Sequence, residues 1–206
     1  MITVIAGVNG AGKSSVIGSY IRSRPNGDYF NPDEYARTLL EQGSVESQAE
    51  ANSEAWDVGH QFLIAAVRLH KDYIFETTLG GTSITRTLLE ALANGVPVRV
   101  LYCGLESPEL HIERVAARVK NGGHNIPEDK IRTRWERSIA NMMRLIDAGA
   151  DIVVFDNSGT TPEGKPTPKR LFTLQGTVLS ELHQDINDWA KPLATRALLR
   201  HRRLQK

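Results

Sequence analysis

The 206-residue sequence has one cysteine, Cys103. A single thiol excludes an intrachain disulfide, and without a Cys-x-x-Cys pair no cysteine-based zinc site is expected. Long apolar runs are also missing: nothing approaches the ~20 residues that span a bilayer, so a membrane protein is not expected. The opening residues Met1 to Ala6 run directly into a strand pattern and lack the basic region and cleavage site of a secretion signal. The expected location is cytoplasmic. A net charge of only +1 gives no global field to gather nucleic acid or membrane. Local charge is less even at the end of the chain, where Lys191, Arg196, Arg200, Arg202, Arg203 and Lys206 make a basic helix over about 181–206. Such a tail reads as a solvated helix end, with nucleic acid or anionic lipid as the alternative ligand.

What is present is the composition of a globular chain, 40% hydrophobic and 24% charged, at a length that suits one α/β domain rather than two. Ile2-Thr3-Val4-Ile5-Ala6 reads as a buried parallel strand. A helix opens at Gly12-Lys13-Ser14 and stops before Pro25 and Gly27. Asp28-Tyr29-Phe30 reads as a second strand. Pro32 opens a helix with Asp33 and Glu34 in its first turn. The pattern from about Val45 to His70 is helical, with Ala55, Val58, Phe62, Ala65, Ala66 and Leu69 near helical spacing.

Asp72 to Glu76 reads as a third strand, Ser83 to Asn94 as a helix, and Val96 to Tyr102 as a fourth strand. Ser107 caps a helix that runs to about Lys120. Asn121-Gly122-Gly123-His124 breaks it, and Pro127 opens another helix to about Ala148. Asp151 to Asp156 is the fifth strand, Ser158 to Pro168 a loop, and Leu171 to Leu179 an edge strand before a C-terminal helix. Strands alternating with helices imply a parallel sheet covered on both faces. The expected fold is α/β, a three-layer P-loop NTPase fold with a mostly parallel central sheet and a helical, Gly-hinged lid over about 107–148.

Gly7-Val8-Asn9-Gly10-Ala11-Gly12-Lys13-Ser14 matches G-x-x-x-x-G-K-[ST] in full, between a strand and a helix. Glycines let the backbone wrap around phosphate oxygens, and the helix that follows adds its positive end. Gly7, Asn9, Gly10, Ala11, Gly12, Lys13, Ser14 and Ser15 are therefore the candidate nucleotide-binding residues. Lys13 reaches the β- and γ-phosphates, and the Ser14 hydroxyl is offered to Mg²⁺. ATP and Mg²⁺ are the expected cofactors.

Other strand ends must say where the phosphoryl group goes. Asp33 suits either a proton acceptor for an attacking hydroxyl or a helix N-terminal acid. Glu76 closes an apolar strand, where a carboxylate orients metal-bound water or holds a substrate hydroxyl. Thr77 and Thr78 add hydroxyls beside it. Arg114, Arg118, Arg132, Arg134 and Arg137 flank the glycine break. On a closing lid such arginines neutralise charge on a transferring phosphoryl group, and on an exposed helix they pair with Glu113, Glu128 and Glu136. Asp156-Asn157-Ser158 lies at another strand end and fits either a nucleotide-base contact or a turn.

Together, the P-loop, Asn31-Pro32-Asp33-Glu34, Phe75-Glu76-Thr77-Thr78 and the stretch Arg114 to Arg137 around Gly122-Gly123-His124 resemble the zeta-toxin family of small P-loop kinases. The resemblance covers roughly the first three-quarters of the chain. It implies ATP-dependent phosphorylation of a hydroxyl on UDP-N-acetylglucosamine or a related nucleotide sugar, and an antitoxin protein as partner. On this sequence it makes Asp33 the catalytic base, Glu76 a substrate-site acid, and Arg118 and Arg134 the γ-phosphate pair. The alternatives are a kinase of a nucleoside or nucleic-acid end, and a nucleotide-dependent switch or transport ATPase.

Overall fold

The structure is a computed structural model that describes residues 1–24 and 27–202. Pro25, Arg203 and Lys206, which entered the sequence reading, lie outside the described residues.

Strand β1 (Ile2–Ala6) is buried along its whole length, as its unbroken apolar run requires. It leads through the P-loop into α1, which is π-wound over Ser14–Gly18 and α-helical over Ser19–Arg22. Then come α2 (Pro32–Glu41), α3 (Gln48–Arg68), β2 (Tyr73–Thr77), α4 (Thr82–Ala93) and β3 (Val98–Gly104). The second half holds α5 (Pro108–Lys120), α6 (Glu128–Ala148), β4 (Asp151–Asp156), β5 (Lys169–Gln175), β6 (Val178–Ser180) and α7 (Lys191–Arg202).

Helix ends follow local chemistry. The Asn31 side chain accepts from the Asp33 and Glu34 amides at 3.0 and 3.4 Å, and Ser107 accepts from the Leu110 amide. Gly149 ends α6 at φ 107°, in the left-handed region that favours glycine.

The six strands lie in the order β2-β1-β3-β4-β5-β6. The first four are parallel and the last two antiparallel, so the fold is α/β with a mostly parallel sheet. The chain leaves β1 for one side and returns on the other. The carboxyl ends of β1, β2 and β3 therefore meet at a topological switch point, the crevice where such sheets bind ligands. Register places Glu76 opposite Ile5, one strand from the P-loop.

Helices α3, α4, α6 and α7 cover one face through Leu63, Leu88, Met142, Leu145 and Leu193 against Val4, Val100, Tyr102 and Val154. Each fully buried Leu contributes about 1.5–3 kcal/mol relative to exposure. Helix α6 is also fixed by polar contacts: Ser138 joins the Tyr102 hydroxyl (3.0 Å) to the Thr78 carbonyl (3.0 Å), and Asn141 donates to the Leu79 and Gly81 carbonyls.

Helix α1 covers the second face, through Ile17 and Ile21 on Ile5 and Cys103. A groove of about 600 Å³ remains beside it over Thr3, Leu101, Val153 and Thr173. Asp28-Tyr29-Phe30 is not a strand. Only Phe30 pairs with β2, because Asn31 and Pro32 turn the chain into α2 at once. The buried stripe of α3 is Ala51, Ala55, Gly59, Leu63 and Ala66, while Phe62 and Leu69 are exposed. Residues 171–179 are not one edge strand but a hairpin whose outer strand is β6, and the last helix begins at Lys191, not near 181.

Candidate functional site

The P-loop closes the end of β1. Gly7 takes φ 145° and donates to the Thr77 carbonyl at 3.2 Å. A Cβ there would stand 2.1 Å from the Cys103 carbonyl, so glycine alone lets the loop pass the end of β3. Gly10 and Gly12 each take φ 85°, the alternation that turns successive backbone amides into an anion-binding concavity.

Side chains distant in sequence pin this loop from behind. Asn157 Nδ2 donates to the Ala11 carbonyl at 2.9 Å, and the Cys103 thiol donates to the same oxygen at 3.1 Å. Burial pushes the Cys103 thiol up to about 12, so it stays protonated and serves as a donor. His111 Nδ1 lies 2.8 Å from the Asn9 carbonyl. A carbonyl only accepts, so the proton sits on Nδ1, and Nε2 is left as a buried acceptor with no hydrogen-bond partner among the described residues. Burial brings His111 down to about 4, against the bond to Asn9, with Lys13 and Arg114 adding to the drop. The imidazole is neutral at physiological pH.

Lys13, Ser14 and Glu76 form one cluster at the front of the loop. Lys13 Nζ lies 3.5 Å from Glu76 Oε1, with both side chains under a tenth exposed. Ser14 Oγ donates to Glu76 Oε2 at 2.9 Å. A hydroxyl and a carboxylate this close are hard oxygen donors of the kind that would hold Mg²⁺.

A cleft of about 580 Å³ opens in front of the cluster, lined by Asn9, Asp33, Glu76, Thr77, Thr78 and Arg134 among others. Asp33 is exposed in the first turn of α2. Arg134 donates to Asn9 Oδ1 at 2.8 Å. Burial lowers its pKa, and the Asp33 carboxylate opposes that shift. Its aliphatic stem lies over Gly80, where a Cβ would stand 2.7 Å from Arg134 Cγ. Thr77 and Thr78 accept from the Leu79 and Gly80 amides, so their hydroxyl oxygens shape the turn after β2.

The structure thus brings together Gly7 through Ser14, Asp33, Glu76, Thr77, Thr78 and Arg134. Ser15 sits just behind, its hydroxyl donating to the Gly12 carbonyl. Arg118 departs from the expected pair: it does not line the cleft, and its guanidinium donates to the His124 carbonyl at 3.4 Å within the glycine hinge. Arg114 reaches the Ser158 carbonyl, and Arg132 pairs with Glu109 on the outer side. The second arginine in the cleft is Arg137. Asp156 is a structural carboxylate, accepting from Ser158, Asn187 and Trp189.

Sequence reasoning missed Asn52, Trp56 and His60 on the cleft wall, together with Lys130. It also missed the pins His111 and Cys103. A tryptophan on the polar side of α3 was the one signal available for that wall.

Residues 2–158 match the AAA domain family AAA_33, and the chain belongs to that family. It is 32% identical over 133 residues to an uncharacterized protein of Haemophilus influenzae, a match covering 63% of this chain and 88% of the relative. Among solved structures, the AvrRxo1-ORF1:-ORF2 complex with ATP superposes with TM-score 0.65 at 15% identity, over 96% of this chain. This chain spans 63% of that one. A structure from the PezAT chromosomal toxin-antitoxin system of Streptococcus pneumoniae gives TM-score 0.51 at 14% identity, covering 100% of this chain and 86% of that one. At these identities the structural likeness is one of fold, a P-loop kinase-like α/β fold. Among the described residues no helix is long and apolar enough to cross a membrane.

Proposed function

We propose that this AAA-domain chain is an ATP-dependent kinase that transfers the γ-phosphoryl group to a hydroxyl of a small metabolite, with a nucleotide sugar such as UDP-N-acetylglucosamine as the acceptor. The observation that carries the reading is the cleft in which Asp33 and Arg134 lie in front of the Lys13–Ser14–Glu76 cluster. A nucleotide switch needs the cluster but has no use for an exposed carboxylate beside an arginine at the cleft mouth.

In this mechanism the P-loop amides and Lys13 hold the phosphates. Ser14 and Glu76 would hold Mg²⁺, which would supply neutralisation of the phosphate charge. Arg134, set by Asn9 and by the Gly80 turn, faces the γ-phosphoryl group and balances its charge. Asp33 orients the acceptor hydroxyl and takes its proton. Most of the rate enhancement comes from positioning and charge stabilisation. Helices α5 and α6, joined through Gly122 and Gly123, act as a lid over the cleft. The single-domain organisation, a cytoplasmic location and an antitoxin-like protein partner belong to the same reading. The named toxin-antitoxin system among the fold neighbours supports the last of these.

The test is a paired assay with γ-labelled ATP and a small-metabolite extract. Label moving into an organic product supports a kinase. Label appearing only as inorganic phosphate, at a rate independent of the extract, removes the acceptor and with it the proposal.

A further inference from the structure

The part of the cleft beyond the P-loop has a chemistry of its own. Helix α6 turns Lys130, Thr133, Arg134 and Arg137 toward it, spaced i, i+3, i+4 and i+7, which is one helical face. Arg134 is committed to Asn9 and faces Asp33. Lys130 and Arg137 are exposed and have no carboxylate within ion-pair distance among the described residues. Asp129 on the same wall offsets one of these charges. Nothing in the phosphate cradle needs them, because Lys13 and Arg134 already serve it.

Helix α3 also lines the cleft, with Asn52, Trp56 and His60 at i, i+4 and i+8. Trp56 is 46% exposed, off the Ala51-Ala55-Gly59-Leu63 stripe that packs on the core. Core packing therefore does not explain a tryptophan there. His60 backs it, with ring centroids 5.0 Å apart, and is itself held by the Thr87 hydroxyl at 3.0 Å. The indole is a supported, half-exposed plane in the same cleft as two cations that have no carboxylate partner among the described residues.

We propose that Trp56, Lys130 and Arg137 form an acceptor subsite for a ring compound that already carries phosphate. The ring face stacks on Trp56, its phosphate is held by Lys130 and Arg137, and a hydroxyl on the same molecule points to Asp33. The inference rests on the kinase reading for the name acceptor, but the binding it describes stands apart from turnover. In the transfer, the bond between the ATP β,γ-bridging oxygen and the γ-phosphorus breaks and ADP leaves. The acceptor oxygen bonds to that phosphorus, and its proton passes to Asp33. The subsite selects phosphorylated acceptors and rejects the corresponding neutral sugar or nucleoside.

The experiment is equilibrium binding to the full chain with the P-loop saturated by a non-hydrolysable ATP analogue and Mg²⁺, followed by tryptophan fluorescence and calorimetry. The probes are UDP-N-acetylglucosamine, UDP and glucose 6-phosphate, each beside its neutral counterpart uridine, N-acetylglucosamine or glucose. At least one phosphorylated probe should bind about tenfold or more tightly than its neutral counterpart, with the advantage shrinking as salt rises. Trp56→Ala, Lys130→Gln and Arg137→Gln should each weaken that probe about tenfold while leaving affinity for the ATP analogue unchanged. Trp56→Tyr, which keeps a ring, should restore most of the loss. Equal binding of charged and neutral probes, no binding of any phosphorylated probe, or wild-type affinity in all three variants would overturn the subsite. Because no turnover is involved, a failed label-transfer assay with intact probe binding would sink the kinase reading and leave the subsite standing.

Discussion

Ser14 Oγ and Glu76 Oε2 stand 2.9 Å apart, joining the first residue of α1 to the end of β2. The same carboxylate lies 3.5 Å from Lys13, so one buried acid ties two P-loop side chains to the neighbouring strand. Glu76→Ala leaves Lys13 as an uncompensated buried cation. The expected cost is about 3 kcal/mol of stability, read as a fall in unfolding midpoint by denaturant titration. Glu76→Gln keeps an acceptor for Ser14 and should cost less. Both variants should lose the Mg²⁺-dependent part of ATP affinity, measured by calorimetry with and without the metal.

Asp33 is exposed, and among the described residues no hydrogen bond or ion pair joins its carboxylate to the P-loop, so the proposed role predicts an effect separable from nucleotide binding. Asp33→Ala should bind ATP within about twofold of wild type and lose ~10²-fold or more in transfer. Equal losses of ATP affinity and transfer would instead make Asp33 part of the nucleotide site.

His111 gives the stability a pH signature. Its folded pKa of about 4 lies below the ordinary value of 6.5 because burial disfavours the imidazolium. Between those two values the unfolded chain binds the proton and the folded chain does not, so stability rises with pH across that window. The contribution is fully present above about 6.5 and falls on acidification toward 4, by about 3 kcal/mol in all. Chemical denaturation at pH 5 and pH 7 should show that slope in wild type. His111→Gln, which keeps a donor for the Asn9 carbonyl, should flatten it.

Gly80→Ala tests how Arg134 is aimed. The added Cβ would meet Arg134 Cγ at 2.7 Å and Arg134 Cα at 3.1 Å, forcing the stem away from the turn after β2. Transfer should fall about tenfold or more, with ATP affinity nearly unchanged. A crystal structure of the variant should show the 2.8 Å bond from Arg134 to Asn9 broken.

What could be read from the sequence follows from how local each feature is. The P-loop is contiguous and its chemistry is written in one octapeptide. The α2 cap, with Asn31 before Pro32, is likewise local. The pins behind the loop were not legible, because Cys103 and Asn157 lie 92 and 146 residues from the carbonyl they share. The wall made by α3 was misread because Phe62 and Leu69 suggested an apolar face that is in fact exposed. Placing the buried stripe elsewhere turns Trp56 toward the cleft. The cleft holds Arg137 rather than Arg118 for a similar reason. Both flank the glycine hinge in sequence, but only the face of α6 carrying Arg134 looks into the cleft.

The most direct test of the central claim is a mass-spectrometric search for phosphorylated products in a metabolite extract incubated with ATP, Mg²⁺ and either wild-type protein or Asp33→Ala. A metabolite that gains one phosphate with wild type and not with the variant is the predicted result. ATP hydrolysis with no phosphorylated product, proceeding equally in the two proteins, would contradict it.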